Sequence, residues 1–333
     1  MAVSSSPDFA YCSEDGLLFE ENYQEAMEKA ALPCLRARRT DETVKNGDCS
    51  LFVSRFVPEG EARGTVMIVH GFTENVDKYA EIIHSFLKNG FCVVAYDQRG
   101  HGRSSRKEGI RDLSLTHVEQ FSDYVDDMAL VVDTVLRKMP KPYFLFCHSM
   151  GGAVCALYLA AHGDVFARAV FSSPMIAPYL GGAPGGAVKA ICNAMIALGK
   201  GAERAFISKP YSGAEKFETS CATSRPRFDW YEQLRAQTPA FQNNGPSYAW
   251  AKEAISVTKK LLAEGKPEGI RIPVRVFGAE EDTSVLPKPQ RDFANRLPNG
   301  TYAVVKGAKH EIYRSPDAVL FPWWHDVLAF YKA

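Results

Sequence analysis

Residues 143–152 read Tyr143-Phe144-Leu145-Phe146-Cys147-His148-Ser149-Met150-Gly151-Gly152. A short apolar run, a serine and then small residues opening an alanine-rich helix make the strand–turn–helix layout of a nucleophile elbow. Such a turn lifts the hydroxyl above a sheet and aims the next backbone N–H at any oxyanion formed there. The consensus is G-x-S-x-G, and Cys147 stands where the first glycine would be. That position asks for a small side chain where strand meets helix, which cysteine supplies with modest repacking. A thiol so near a reactive serine is expected to be sensitive to oxidation or mercurials.

Outward from this segment, short apolar runs alternate with helical patterns from about residue 65. The strand candidates are Thr65–Val69, Phe91–Ala95, Tyr143–Phe146, Ala169–Phe171, Val274–Phe277 and Tyr302–Val305. Runs of this length suit a parallel sheet buried on both faces. Between them Phe121, Tyr124, Val125, Met128, Val131, Val132, Val135 and Leu136 repeat at helical spacing, and Met150–His162 reads as a second helix. The alternation predicts an α/β fold with a mostly parallel central sheet flanked by helices. Polar alternation around Leu51, Val53 and Phe56 suggests antiparallel edge strands within 31–57. After Pro174 the pattern breaks. Residues 175–254 hold a Gly/Ala-rich stretch and an aromatic, polar one, and read as a cap inserted over the C-terminal edge of the sheet, where open α/β folds bind ligands. The core is then expected in 1–174 and 255–333.

Composition excludes several classes of function. The 333 residues carry 39 Lys+Arg against 39 Asp+Glu, so the basic footprint of a nucleic-acid binder is missing. Eight cysteines show no CxxC pair and several lie in apolar runs, as reduced core thiols do. Met1 to Phe19 has no apolar stretch of the secretory type. The longest apolar stretch, Ala187 to Leu198, falls far short of the ~20 residues that cross a bilayer. The chain is expected to be cytoplasmic, soluble or at most peripheral on a membrane.

A serine hydroxyl needs an adjacent base to become a nucleophile. Of eight histidines, His84, His117 and His162 fall on helical patterns and are expected at surfaces or helix ends. His325 beside Trp323 and Trp324 is expected to pack, and His148 is too close in sequence to reach under Ser149. His70 and His101 belong to glycine-containing loop motifs. His310, in Gly307-Ala308-Lys309-His310-Glu311 after the last strand, stands where the base of an α/β-hydrolase lies. The carboxylate orienting it should come from Glu280-Glu281-Asp282 after Val274–Phe277. Asp282 is preferred, because Asp282-Thr283-Ser284-Val285 fits a D-x-x-V arrangement, with Glu281 in reserve. The order Ser149…Asp282…His310 is that of the α/β-hydrolases, not of chymotrypsin or subtilisin. Oxyanion donors are expected at the N–H of Met150 and, in the turn His70-Gly71-Phe72-Thr73-Glu74-Asn75, at the N–H of Phe72. Asp97 to Ser104 reads as a structural loop in which Asp97 and Arg99 could pair.

With these residues placed, the chain resembles the α/β-hydrolase lipases grouped with monoacylglycerol lipase and the bacterial lysophospholipases. The blocks HGFTEN, YDQRGHGRS, HSMGG and GAKHE carry the likeness over roughly residues 60–315. Within the insertion, Thr219-Ser220, Arg227-Phe228 and Gly245 to Trp250 look more like the bacterial lysophospholipases. The resemblance implies a serine ester hydrolase acting on lysophospholipids or monoacylglycerols, with the insertion as a lid. Ala187–Leu198 could form a lid helix facing an acyl tunnel or a membrane surface, or pack as an ordinary cap helix. No metal or organic cofactor is required by this chemistry. The alternatives on the same fold are a peptidase, a C–C hydrolase, or a non-catalytic ligand-binding relative.

Overall fold

The computed structural model describes residues 11–206 and 208–333. The reading of Met1 to Phe19 therefore lies in part outside the described residues. The strands are β1 (Arg39–Asn46), β2 (Cys49–Phe56), β3 (Thr65–Val69), β4 (Cys92–Tyr96) and β5 (Leu115–Thr116), followed by β6 (Tyr143–His148), β7 (Arg168–Ser172), β8 (Gly245–Pro246), β9 (Val274–Ala279) and β10 (Gly300–Val305). Eight of them form one sheet in the order β1-β2-β4-β3-β6-β7-β9-β10, while β5 and β8 pair separately. The β1–β2 and β2–β4 contacts are antiparallel, and every other pairing in the sheet is parallel. This is the α/β-hydrolase fold.

All six strand candidates form, at most two residues from the expected bounds. In the 31–57 region the first part is a helix, Leu32–Arg38, and the antiparallel hairpin follows it. The central strands are buried along their whole length because both faces are covered. Alternate residues of β3 show the division: Met67 and Val69 face one core, Val66 and Ile68 the other. The first core takes helices Ser122–Thr134, Met150–His162, Tyr248–Leu261 and Pro287–Arg296 through Met128, Val131, Val154, Val257 and Phe293. The second takes helix Ala80–Lys88, the N-terminal segment and the last helix, Asp317–Lys332.

Two histidines depart from expectation on this second face. His84 is fully buried, with Nδ1 against the Gly16 carbonyl at 2.9 Å, because its helix is covered on the side that the pattern suggested was open. His325 is exposed and meets Asp15, so it does not pack with its tryptophan neighbours; Trp323 and Trp324 both turn inward, and Trp324 Nε1 donates to Ser85 Oγ at 2.6 Å.

Between β7 and β9 the large sheet receives no strand, and residues 175–254 lie against loops at the C-terminal strand ends. Tyr179 N–H donates to Ser284 O, Leu286 N–H to Ala177 O, and Glu311 N–H to Cys221 O. The helix Tyr248–Leu261, capped by Ser247 Oγ accepting Trp250 N–H, runs through the boundary drawn at residue 254. Helix Gly185–Ala197 buries only Cys192 fully and packs through it, with Val188 and Met195, on Tyr248 and Ala251.

Phe86 is the hinge of the second core, its ring against Phe91, Phe146, Trp324 and Tyr331. Phe86→Ala should lower the free energy of unfolding by about 3–5 kcal/mol. Urea denaturation followed by tryptophan fluorescence measures this, and a loss under about 1 kcal/mol would show that the cluster refills the space.

Candidate active site

Ser149 sits between β6 and helix Met150–His162 with φ 50° and ψ −118°, a region that a non-glycine residue occupies at a cost of order 1–3 kcal/mol. Flanking hydrogen bonds hold it there: Ser149 N–H donates to Ser172 O at 3.1 Å, and Met175 N–H donates to Ser149 O at 2.8 Å. The two following glycines are steric requirements. A Cβ on Gly151 would collide with the carbonyls of Val69 and His70, and one on Gly152 would lie 2.5 Å from Pro174 Cβ. Cys147 needs no special backbone. It is the fifth residue of β6, fully buried, with Sγ 3.5 Å from Val170 O. Burial pushes its thiol pKa well up, so the thiolate that oxidants and mercurials attack is disfavoured, contrary to the sensitivity expected from sequence.

His310 lies in the turn after β10, and its ring joins two partners. Nε2 is 2.8 Å from Ser149 Oγ, and Nδ1 is 2.8 Å from Asp282 Oδ2. This arrangement makes Nδ1 the donor to the carboxylate and leaves Nε2 to accept the serine proton. Asp282 Oδ1 is fixed in turn by the N–H groups of Ser284 and Val285 at 2.8 and 3.1 Å. Burial alone would raise this carboxyl, but the His310 hydrogen bond and charge, with the two amides, bring it below the ordinary aspartate value. Glu280 and Glu281 are exposed; Glu280 accepts Gly307 N–H, and Glu281 does not meet the ring. Ser149 and His310 are 7% and 6% exposed, so the hydroxyl works in a nearly dry setting.

The turn after β3 abuts this group. A Cβ on Gly71 would fall 3.0 Å from Ser149 Cβ, a measure of how closely the backbone passes. Met150 opens its helix, in the first turn where N–H groups have no intrahelical acceptor. The Phe72 ring packs tilted against Trp250 with centroids 4.0 Å apart, so helix Tyr248–Leu261 rests directly on the turn. The Trp250 indole is anchored in turn, Nε1 donating to Tyr124 Oη at 3.1 Å.

Other histidines are spoken for. His70 Nε2 accepts Gln98 N–H at 2.9 Å while Nδ1 faces Gly71 O, and burial holds its pKa down at about 4. His101 is buried beside it, against Arg99 O, with its pKa pulled down by burial. His117, expected at a surface or helix end, is also buried and binds Ser247 Oγ. The expected Asp97–Arg99 pair does not form. Arg99 reaches Asp127 at 2.5 and 2.6 Å. Asp97 instead accepts the N–H groups of Val76 and Arg103, both at 2.7 Å, and burial raises it to about 6. Its carboxylate occupies the space that any Gly102 side chain would need, and Gly102 takes a positive φ. Among the described residues no group of three His, Cys, Asp or Glu is placed to hold a metal ion.

A serine made nucleophilic on a turn between strand and helix, with a histidine–carboxylate pair behind it, can carry out acyl transfer. Residues 60–317 match the family Hydrolase_4, described as serine aminopeptidase, S33. The chain belongs to this family. It is a serine hydrolase, and the proteins it resembles include lipases. Lysophospholipase L2 of Escherichia coli K12 is 29% identical over 306 residues, covering 89% of this chain and 88% of its own. Monoglyceride lipase of Mus musculus is 34% identical over 127 residues, 38% of this chain and 40% of its own. Among solved structures, a soluble variant of monoglyceride lipase from Saccharomyces cerevisiae superposes with TM-score 0.68 at 19% identity, covering 87% of this chain and 94% of that one.

Asp282→Asn should lower kcat about 10³–10⁴-fold by presenting the wrong histidine tautomer, whereas Glu281→Gln should change it less than about 3-fold. Steady-state hydrolysis of a p-nitrophenyl ester checks both, and the reverse ranking would move the orienting role to Glu281.

Proposed function

We propose that this Hydrolase_4 chain hydrolyses the ester bond of single-chain lipids, lysophospholipids first and monoacylglycerols second. Ser149 is the nucleophile, His310 the general base, Asp282 its orienting carboxylate, and the N–H groups of Phe72 and Met150 the oxyanion donors. The observation that carries the reading is the hydrogen-bonded line Asp282–His310–Ser149 at the elbow. The near full-length relative named as a lysophospholipase supports the head-group preference, since the monoglyceride lipase match spans less than half of either chain.

The steps follow from the protons. As Ser149 Oγ attacks the ester carbonyl, its proton passes to His310 Nε2, and the imidazolium is stabilised by Asp282. The carbonyl oxygen becomes an oxyanion facing Phe72 and Met150 N–H, each donor contributing on the order of 100-fold in rate. His310 then protonates the departing glycerol oxygen, leaving the acyl group on Ser149. Water, deprotonated by His310, attacks that acyl ester; the proton returns to Ser149 and the fatty acid leaves. No metal or organic cofactor takes part.

Residues 175–254 act as the cap in this reading, over a core of 1–174 and 255–333. Tyr179, Ile191, Leu198 and Phe206 expose 48%, 45%, 71% and 62% of their surfaces, an apolar set suited to a lipid surface. Among the described residues no helix is long and apolar enough to cross a membrane. Cys49, Cys92, Cys147, Cys155, Cys192 and Cys221 are free thiols, in keeping with a cytoplasmic protein touching a membrane from its periphery.

A substrate panel tests the assignment. Long-chain lysophosphatidylcholine should be turned over faster than the matching monoacylglycerol, an aminoacyl arylamide should not be cleaved, and Ser149→Ala should be inactive on all. Arylamide cleavage at the lipid rate would instead favour the peptidase chemistry of the family description. Separately, the double variant Leu198→Asp/Phe206→Asp should lose roughly 10-fold or more of its rate on lipid vesicles, while hydrolysis of a soluble butyrate ester stays within about 2-fold. Equal losses on both substrates would show that the patch does not meet lipid.

A further inference from the structure

The turn His70–Asn75 holds a carboxylate that the reaction scheme leaves unused. Glu74 is 2% exposed, and five donors converge on it. Oε2 accepts Gly71 N–H at 2.5 Å, Tyr79 Oη–H at 2.6 Å and His148 Nδ1–H at 3.1 Å. Oε1 accepts the Tyr313 hydroxyl and meets Lys78 Nζ at 3.1 Å. These donors come from separate segments of the chain. Gly71 belongs to the turn that carries Phe72, His148 precedes Ser149, and Tyr313 follows His310 by three residues.

His148 extends the connection. Its other nitrogen, Nε2, lies 3.2 Å from the backbone carbonyl of His310. Both ring nitrogens therefore face acceptors, an arrangement that the imidazolium, with a proton on each, satisfies. Burial would lower the pKa of His148, but the charge of Glu74 and its hydrogen bond raise it above the ordinary value. Burial would likewise raise Glu74, and the charges of His148 and Lys78 carry it well below the usual carboxylate range.

The turn that Glu74 closes is strained. Thr73 has φ 61°, a left-handed conformation costing of order 1 kcal/mol or more for a residue with a branched Cβ. Without an anchor at Gly71, the turn could relax by swinging the 71–73 peptides, and the Phe72 N–H would no longer aim at the oxygen above Ser149.

We infer that Glu74 is a positioning residue. Acting with the His148 imidazolium, it registers the oxyanion turn, the nucleophile and the base to one another through a single buried carboxylate. The inference rests on the proposed roles of Ser149, His310 and Phe72. Glu74 touches no substrate; it sets where the touching groups stand. Because the hole engages an oxygen only once it becomes tetrahedral, the effect falls on kcat and not on substrate binding.

The test is Glu74→Gln, which keeps the shape but removes the charge that holds His148 protonated and puts an NH2 donor in place of one accepting oxygen. With a soluble p-nitrophenyl ester, kcat should fall about 100-fold while KM stays within about 3-fold. Affinity for an alkyl boronic acid, which forms a tetrahedral adduct on the serine, should fall in parallel with kcat. In ¹⁵N spectra both ring nitrogens of His148 should be protonated at pH 8 in the wild type and only one in the variant. Tyr313→Phe and Tyr79→Phe each remove one donor and leave the charge, and serve if Glu74→Gln does not fold; each should show a loss of several-fold in the same two readouts. A folded Glu74→Gln, or failing that a folded Tyr313→Phe, with kcat and boronate affinity within 2-fold of wild type overturns the inference, and so does a loss of thermal stability alone. A wild type that a fluorophosphonate fails to label at Ser149 overturns the underlying catalytic reading together with it. Labelled wild type with an unaltered variant overturns only the role of Glu74.

Discussion

The constraint on which the molecule is built is the backbone of Ser149. A non-glycine residue at φ 50° and ψ −118° persists only where its surroundings over-determine it. Here the clamps are a bond from its N–H to β7 and a bond to its carbonyl from the segment after β7. Both require β6 to be an interior strand with β7 paired beside it in parallel register. The helix leaving the turn must then press onto the end of β3 at Gly151 and onto Pro174 after β7 at Gly152, which is why neither carries a side chain. A sheet buried on both faces and a helix packed this tightly on its end are what make the strained turn tolerable.

Around that turn the interior is more ionic than an apolar core would be. Arg227, 1% exposed, makes a fork to Glu81 at 2.9 and 3.0 Å and also reaches Leu18 O. Lys78 joins Glu74 to Glu311, and Glu311 joins Arg314 at 2.6 Å. Burying such groups costs several kcal/mol per ion, offset only by close pairing and saturated hydrogen bonding. An apolar filling could be as stable, but it would leave the loops after β3 and β10 free to slide. The ionic frame fixes directions where a greasy one fixes only volumes.

The parts legible in the sequence were those in which chemistry and strand order coincide. Ser149 followed from an apolar run before it and glycines after it, His310 from its place after the last strand, and Asp282 from its turn. The buried state of His84 and the exposure of His325 were not legible, because one periodic helix can face either way until its neighbours are known. Arg99 was matched in sequence with Asp97, two residues away, whereas its partner is Asp127 on another element. Glu74 was one letter in a block; the donors that give it meaning lie from three to 239 residues away. Spacing along the chain reports local geometry well and convergence of distant segments poorly.

The two long helices between β7 and β8 are attached very differently. Helix Arg225–Gln237 is moored by Arg227, by Arg235 to Asn243 O and by Tyr231, whose hydroxyl accepts the Asn75 side-chain amide. Helix Gly185–Ala197 holds on by one narrow stripe and turns the rest outward. The insertion is thus divided into a fixed half that belongs with the chemistry and a lightly held half that belongs with the surroundings. Mutations can accumulate on the second without disturbing the first. A lineage could change the outward character of this one exposed helix by substitution while the hydrolytic machinery stays as it is.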